Sequence, residues 1–357
     1  MKKTTVLIVD DSALIRKLFR EMLLEADDIE VLDTAVDAQD AREKIKRLNP
    51  DVLTLDIEMP GMDGLSFLEK VMALRPMPVI MASTLTQKGA SETIRALEIG
   101  AFDYISKPTN SPQHRNALLE LQDELISKVR AAAGANLALR SRSATTARQP
   151  AVVKFIPRET VASTIIAIGS STGGVEALRD IFLALPQNSP PIVMTQHMPE
   201  HFTTSFAARL NSLSQVRVSE AAEGDELKPG YAYLAPGNIH LKIGKRGSKL
   251  ICHLNDGSTV SGHRPSVDVL FDSVADVAGA RAVGIILTGM GRDGTQGLLK
   301  MRTSGAYTVG QSQSSCVVYG MPKSAMAAGA VCIELPLSEI AAHVLGYCAR
   351  GKESSHA

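Results

Sequence analysis

The sequence predicts an α/β protein of two domains, each a largely parallel sheet covered by helices. Three observations predict it. Short runs of Val, Ile and Leu alternate with amphipathic stretches over residues 1–125, and the alternation resumes from Thr164. A chain of 357 residues suits two domains at roughly 100–200 residues each. Charge is also partitioned: residues 1–125 carry a net −7, residues 126–160 a net +6, and residues 161–357 a net +1. A basic stretch of small and polar residues, punctuated by Pro150 and Pro157, reads as a connector. The expected plan is a first domain over 1–125, a linker over 126–160 that is partly helical at its start, a second domain over 161–350, and a tail over 351–357.

In the first domain, strands are expected at Val6–Val9, Val31–Val36, Val52–Leu55, Pro78–Ala82 and Phe102–Ile105. Helical patterns fill Ala13–Glu25, Ala38–Leu48, Leu65–Ala73, Gly89–Glu98 and a segment from about Ser111 onward. Continuous apolar strands interleaved with helices imply a parallel sheet buried on both faces. Such sheets place ligands beyond the carboxyl ends of their strands. In the second domain, strands are expected at Ile165–Ile168, Ile192–Thr195 and Ala282–Leu287, with helices at Val175–Leu185, from about Thr203 to Leu210, and after Asp293. Runs around 231–254 look like β-hairpin material bounded by Gly-Asn and Asp-Gly turns.

Composition narrows the function classes. The net charge of zero gives no push toward nucleic acid or anionic membrane. No run of 18 apolar residues exists, so no membrane-inserted helix is expected. The apolar run after Met1-Lys2-Lys3 ends at Asp10-Asp11, too short for a signal peptide. Cys252, Cys316, Cys332 and Cys348 form no Cys-x-x-Cys pair, which suits reduced thiols rather than a zinc site or disulfide framework. The cytoplasm is the expected location.

Asp10 and Asp11 follow the first strand and Asp56 the third, so three carboxylates converge on one sheet edge. Like charges that close stay ionised only when a cation joins them, and oxygen ligands with room for water suit Mg²⁺. Ser83 and Lys107 lie on the same edge. A carboxylate beside a divalent cation and a lysine is poised to attack a phosphoryl group. Taken with Tyr104 and Pro108, this set resembles the receiver domain of bacterial response regulators, a flavodoxin-like (βα)5 fold, over about residues 4–125. The resemblance implies that Asp56 accepts phosphate. It also implies that Asp11, Asp56 and the Glu58 carbonyl bind Mg²⁺ while Asp10 helps through water, and that Ser83, Tyr104 and Lys107 respond to phosphorylation.

Gly169-Ser170-Ser171-Thr172-Gly173 fits G-x-S-x-G directly after a strand and before a helix. That context puts a serine hydroxyl on a sharp turn near helix N-terminal N–H groups, which can hold an oxyanion. His197 ends the next strand and is the leading candidate base, with His201, His240 and His263 as alternatives. Asp293, in Thr288-Gly289-Met290-Gly291-Arg292-Asp293-Gly294, is the candidate orienting acid. The order Ser, His, Asp differs from that of α/β-hydrolases. These stretches, with His263-Arg264-Pro265-Ser266-Val267-Asp268 and Ser315-Cys316-Val317-Val318-Tyr319-Gly320-Met321-Pro322, resemble the chemotaxis protein-glutamate methylesterase/protein-glutamine glutaminase family. Ser170 stands where that family usually shows alanine, and Arg292 where it commonly shows asparagine.

The family resemblance implies Ser171 as nucleophile, His197 as base and acid, Asp293 as orienter, and the backbone N–H groups of Thr172 and Met290 as the oxyanion hole, with no cofactor for hydrolysis. The implied substrates are glutamate γ-methyl esters, and by near-isostery glutamines, on the cytoplasmic helices of chemoreceptors. The implied phosphodonor is a chemotaxis histidine kinase, and the implied place of work is the membrane receptor array. A switch domain joined to a hydrolase leads us to expect that the receiver covers the active site until Asp56 is phosphorylated. Two rival outputs are weighed. A DNA-binding domain would need a basic recognition helix, which a second domain of net +1 does not offer. A noncatalytic adaptor would not need Ser171, His197 and Asp293 together.

Overall fold

A computed structural model describes residues 3–108, 115–134 and 164–350. The chain forms two compact units, one before Arg148 and one from it onward. In the first, β1 (Thr4–Val9), β2 (Ile29–Ala35), β3 (Val52–Asp56), β4 (Val79–Ser83) and β5 (Asp103–Ser106) make one parallel sheet in the order β2-β1-β3-β4-β5. The intervening helices are α1 (Ala13–Leu24), α2 (Ala38–Leu48), α3 (Gly64–Leu74), α4 (Gln87–Ile99) and α5 (Arg115–Ala133). The strands read as solid apolar runs because helices cover both faces: Val6, Leu7, Ile8, Leu53, Leu55 and Ile80 are all fully buried. Ser12, Asp37, Asp63 and Thr86 cap the first four helices with their side chains.

The sequence break expected at 125 falls inside α5, which continues to Ala133. Basic residues suggested a connector there, but Ile126, Val129 and Ala132 keep the helical apolar face and are buried. Lys128 is buried too, ion-paired with Glu124 and Asp103, and Arg130 makes a two-pronged salt bridge to Asp28. The rest of the expected linker, residues 135–160, the expected helix start at 111–114 and the tail at 351–357 lie outside the described residues.

The second unit holds a seven-stranded, wholly parallel sheet. Its strands are β6 (Ile165–Ser170), β7 (Ile192–Gln196), β8 (Arg217–Glu220), β9 (Tyr231–Leu234), β12 (Ala282–Ile286), β13 (Tyr307–Gln311) and β14 (Ile333–Leu335). They run in the order β14-β13-β12-β6-β7-β9-β8. The helices are α6 (Gly174–Ala184), α7 (Phe202–Leu213), α8 (Val267–Ala278), α9 (Thr295–Thr303), α10 (Met321–Ala327) and α11 (Leu337–Arg350). An antiparallel pair, β10 (His240–Arg246) and β11 (Lys249–Asn255), stands apart as its own two-stranded sheet. The hairpin was expected in this region with Gly-Asn and Asp-Gly turns. It instead turns at Gly247-Ser248, with Gly247 at φ +63°, and Tyr231–Leu234 joins the parallel sheet. The core beneath the sheet is built from Val267, Leu270, Phe271 and Val274 of α8 against Ile165, Ala167 and Ile286.

Both sheets reverse their winding beside the first strand, between β1 and β3 in one and between β6 and β12 in the other. Crevices at such points are where α/β sheets bind ligands, and both candidate sites lie there.

Candidate active site

The middle strands of the second sheet deliver Ser171 and His197 to one edge. Ser170 of β6 pairs in register with Gln196 of β7, so Ser171 and His197 are the next residues out on neighbouring strands. The His197 N–H donates to the Ser170 carbonyl (3.2 Å). β12 flanks β6 on its other side, and the loop after it carries Met290 and Asp293.

The serine turn is held tightly. Gly173 takes φ +77°, and a β-carbon there would lie 2.5 Å from Val317 Cβ, so both conformation and space demand glycine. The Ser171 N–H donates to the Thr288 carbonyl (3.0 Å), and Thr288 Oγ1 donates to the Thr172 carbonyl (2.9 Å) while accepting from the Val318 N–H (2.9 Å). A β-carbon at Gly289 would sit 2.8 Å from Ser171 Cβ, which brings the 287–294 loop against the serine. The Met290 N–H has no acceptor among the described residues. The two adjacent serines separate cleanly. Ser170 is fully buried and donates to Gln196 Oε1 (2.7 Å), whereas Ser171 is only half-buried and reaches the surface.

His197 Nε2 lies 2.8 Å from Asp293 Oδ2. Its Nδ1 is buried and has no hydrogen-bond partner among the described residues. Asp293 caps no helix of its own, since Gly294 is the N-cap of α9. Its carboxylate instead reaches the start of α8. The Ser266 hydroxyl (2.8 Å) and the N–H groups of Asp268 (3.1 Å) and Gly294 (3.0 Å) donate to Oδ1, and the Val267 N–H (2.7 Å) donates to Oδ2. Burial alone would push this carboxyl up. The His197 bond and charge, with the Val267 and Asp268 N–H groups, outweigh it and hold the carboxyl down at about 2. Asp293 is therefore a fixed anion. Neighbouring Asp268 is pushed up by its burial and by that anion.

Residues that can deprotonate a hydroxyl, hold the resulting imidazolium and present N–H groups to an oxyanion suit acyl transfer through a serine. Residues 166–344 match the family model described as CheB methylesterase, and residues 6–119 match the response regulator receiver domain. The chain belongs to the protein-glutamate methylesterase/protein-glutamine glutaminase family. It is 51% identical over 347 residues to the member from Nitrosomonas europaea, covering 97% of this chain and 96% of that one. It is 53% identical over 346 residues to one from Caulobacter vibrioides, covering 97% and 98%. Among solved structures, the Thermotoga maritima CheB methylesterase catalytic domain is 40% identical with a TM-score of 0.51, covering 52% of this chain and 98% of that one.

In the receiver of this methylesterase, the carboxylate oxygens of Asp10, Asp11 and Asp56 come within 4.8 Å of one another. Asp10 and Asp56 are buried and Asp11 is exposed. Lys107 Nζ bridges Asp10 Oδ2 (2.8 Å) and Asp56 Oδ1 (2.7 Å). Burial, reinforced by the Asp10 charge, pushes Asp56 up to about 6 against the pull of Lys107. An acidic cluster so short of positive charge, two of its three carboxylates buried and all its donors oxygen, fits a hard divalent cation such as Mg²⁺. The Glu58 N–H donates to Asp56 Oδ1 (3.2 Å), leaving its carbonyl as the atom the resemblance assigns to the metal. Ser83 Oγ does not turn toward Asp56. It accepts from Thr93 Oγ1 (2.8 Å) and lies 3.2 Å from the Gly89 carbonyl, on the α4 side. Tyr104 is buried, with Lys128 Nζ 4.8 Å above its ring.

Of the alternative histidines, His201 is exposed at the start of α7, and His240 is buried between the Ser258 carbonyl and the Ser266 N–H. His263 alone among them reaches the site, stacked on the His197 ring. Two positions escaped the sequence reading. Gln196 Nε2 clamps the carbonyls of Ser171 (3.0 Å) and His197 (3.2 Å), and Ser266 anchors Asp293. Gln196 is adjacent to His197 on a buried strand end, a place where an amide must find partners; Ser266 carried the signal of a helix N-cap.

Proposed function

We propose that the chain hydrolyses glutamate γ-methyl esters on the cytoplasmic helices of chemoreceptors, releasing methanol, and deamidates receptor glutamines at the same site, under the control of phosphorylation at Asp56. The observation that carries the chemistry is the His197–Asp293 contact of 2.8 Å at the strand end next to Ser171. Ser171 Oγ attacks the ester carbonyl carbon while His197 Nδ1 takes the serine proton. Asp293, fixed as an anion, stabilises the imidazolium through Nε2. The oxyanion rests on the Thr172 and Met290 N–H groups. When the tetrahedral intermediate collapses, the C–O bond to the methoxy group breaks and His197 returns its proton to make methanol. Water then attacks the acyl-serine with His197 again as base, freeing the glutamate carboxylate and restoring Ser171. With glutamine, ammonia leaves in place of methanol. The hydrolytic site uses no cofactor in this scheme.

In the receiver, the Asp56 carboxylate attacks the phosphorus of a phosphodonor, supplied in the cell by a chemotaxis histidine kinase. Lys107 Nζ, already 2.7 Å from Asp56, neutralises charge on the transferring group. Asp11, Asp56 and the Glu58 carbonyl would hold Mg²⁺, with Asp10 acting through water, and the ion would supply the remaining charge neutralisation. The added phosphoryl charge is about −1.5 to −2 and releases the hydrolase from restraint. Ser83 and Tyr104 are the residues that answer it. On this reading the enzyme works in the cytoplasm, recruited to receptor arrays by its substrate; among the described residues no helix is long and apolar enough to cross a membrane. The test is methanol release from methylated receptor membranes, with and without a small phosphodonor and Mg²⁺. Release should vanish in Ser171→Ala and lose its phosphodonor stimulation in Asp56→Asn. Release that persists undiminished in Ser171→Ala sinks the reading.

A further inference from the structure

We propose that His263 is a positioning residue for the catalytic histidine: its imidazole is a platform that fixes the plane of the His197 ring and so aims Nδ1 at the serine proton. The inference rests on the assignment of His197 as base. The two rings stack with centroids 3.8 Å apart and planes inclined by 16°. Among the described residues the His197 ring has one in-plane anchor, the Nε2 contact to Asp293, while Nδ1 has no partner. A flat ring held at a single edge atom can rock about that atom. A second flat ring against its face removes the rocking without consuming the nitrogen that must accept a proton. It also gives the ring a polarisable neighbour each time His197 becomes cationic.

The platform itself is built to be rigid. Val260 and His263 exchange both backbone hydrogen bonds (3.0 Å each) across Ser261 and Gly262, which sit at φ +54° and +81°. Two positive-φ residues in a two-residue loop are the tightest hairpin turn available. The next residue, Arg264, is pinned by the carbonyls of Asp256 and Gly257 (2.9 Å each) and by Asn238 Oδ1 (2.9 Å). Two residues further, Ser266 bonds His240 through its N–H and Asp293 through its hydroxyl. One short segment, residues 260–268, thus holds both the face of His197 and the carboxylate that its edge contacts.

The test compares His263→Ala, which removes the ring, with His263→Phe, which keeps a flat ring and removes its nitrogens. Steady-state methanol release is measured in the full chain on methylated receptor membranes, with phosphodonor and Mg²⁺, alongside His197→Ala. Folding is checked by near-ultraviolet circular dichroism. A misaimed catalytic group costs roughly 10- to 100-fold. His263→Ala should lower kcat by that factor with KM near the parent's, and His263→Phe should restore most of it. Unchanged kcat in His263→Ala, or a rise in KM alone, overturns the proposal, the second by making His263 a substrate contact. A folded His263→Phe as impaired as His263→Ala also overturns it, because the nitrogens rather than the ring face would then be doing the chemistry. Activity retained in His197→Ala would instead defeat the assignment of the base, whatever the His263 variants do.

Discussion

Asp56 and Asp293 are the same residue type, both buried at the carboxyl edge of a parallel sheet beside its point of reversal, yet their acidities move in opposite directions. Asp56 is pushed up to about 6 and Asp293 held down at about 2. Burial opposes the charge in both places. The difference lies in what each carboxylate meets. Asp293 collects the Ser266 hydroxyl, three backbone N–H groups and His197, whereas Asp56 faces a second carboxylate, Asp10, across a shared lysine. Fixed donors around Asp293 make a permanent anion against the edge of the His197 ring. A charge-poor pocket around Asp56 makes an anion that, on the function proposed above, waits for a cation and then attacks phosphorus. A burial penalty left uncompensated suits Asp56 to respond to a ligand, and the same penalty outweighed by fixed donors suits Asp293 to stay charged.

Replacing Asp293 is the strongest way to break this contrast. Asp293→Asn keeps the shape but puts an NH₂ group among donors and no longer selects the His197 tautomer that leaves Nδ1 free. Methanol release should fall on the order of 10⁴-fold, read from kcat with phosphodonor present. Folding should also weaken by about 2–3 kcal/mol, because the buried donors on whichever carboxylate oxygen becomes NH₂ lose their acceptor and face a second donor. The parent's pH dependence has a definite sign here. A carboxyl whose folded value is about 2, against 3.8 unperturbed, contributes stability that is fully present above 3.8 and lost as pH falls toward 2. Acid titration of the methylesterase unit's unfolding should show that slope, and Asp293→Asn should lack it.

Asp56→Asn should do the reverse for the receiver. The folded value of about 6 lies above the unperturbed 3.8, so stability is highest below 3.8 and declines as pH rises through 6. Removing the charge should therefore stabilise the metal-free receiver at neutral pH, by about 1–2 kcal/mol once the loss of one of the two carboxylate partners of Lys107 is set against the gain. The same variant should lose all phosphodonor stimulation. Added Mg²⁺ should raise the unfolding temperature of the parent more than that of Asp56→Asn. Equal shifts in both would remove Asp56 from the metal site.

Much of this was legible in the sequence. Continuous runs such as Val6–Val9 and Ile165–Ile168 announced buried parallel strands, and an acid, serine or histidine within a few residues of each run's end announced an edge site. What escaped was whatever depended on long-range register. Tyr307–Gln311 carries two polar residues and a glycine, yet it is an inner strand because β12 and β14 flank it. Ser266 reads locally as a cap, and nothing local says that its hydroxyl reaches across 27 residues to Asp293. Ser266→Ala sharpens the comparison at an intermediate scale. It should cost about 1–2 kcal/mol of stability through the lost cap and donor. The kcat should fall by roughly tenfold or less, since the N–H groups of Asp268 and Gly294 still hold Oδ1. Chemical denaturation and methanol release measured on one preparation would separate the two effects.

The smallest effect is expected one residue before Ser171, the proposed nucleophile. The Ser170 hydroxyl is buried and among the described residues donates to Gln196 Oε1, while Gln196 Nε2 independently clamps the carbonyls of Ser171 and His197. Ser170→Ala leaves one buried amide oxygen without its donor, a cost of about 1 kcal/mol, and leaves the clamp in place. Activity should stay near the parent's while stability drops slightly. Set beside Ser171→Ala, the pair of variants tests whether burial has been read correctly as the boundary between a serine that braces the turn and one that reacts. A dead Ser170→Ala with an active Ser171→Ala would exchange their roles, and would mean that the hydroxyl turned toward Gln196 in this structure swings out to meet the ester.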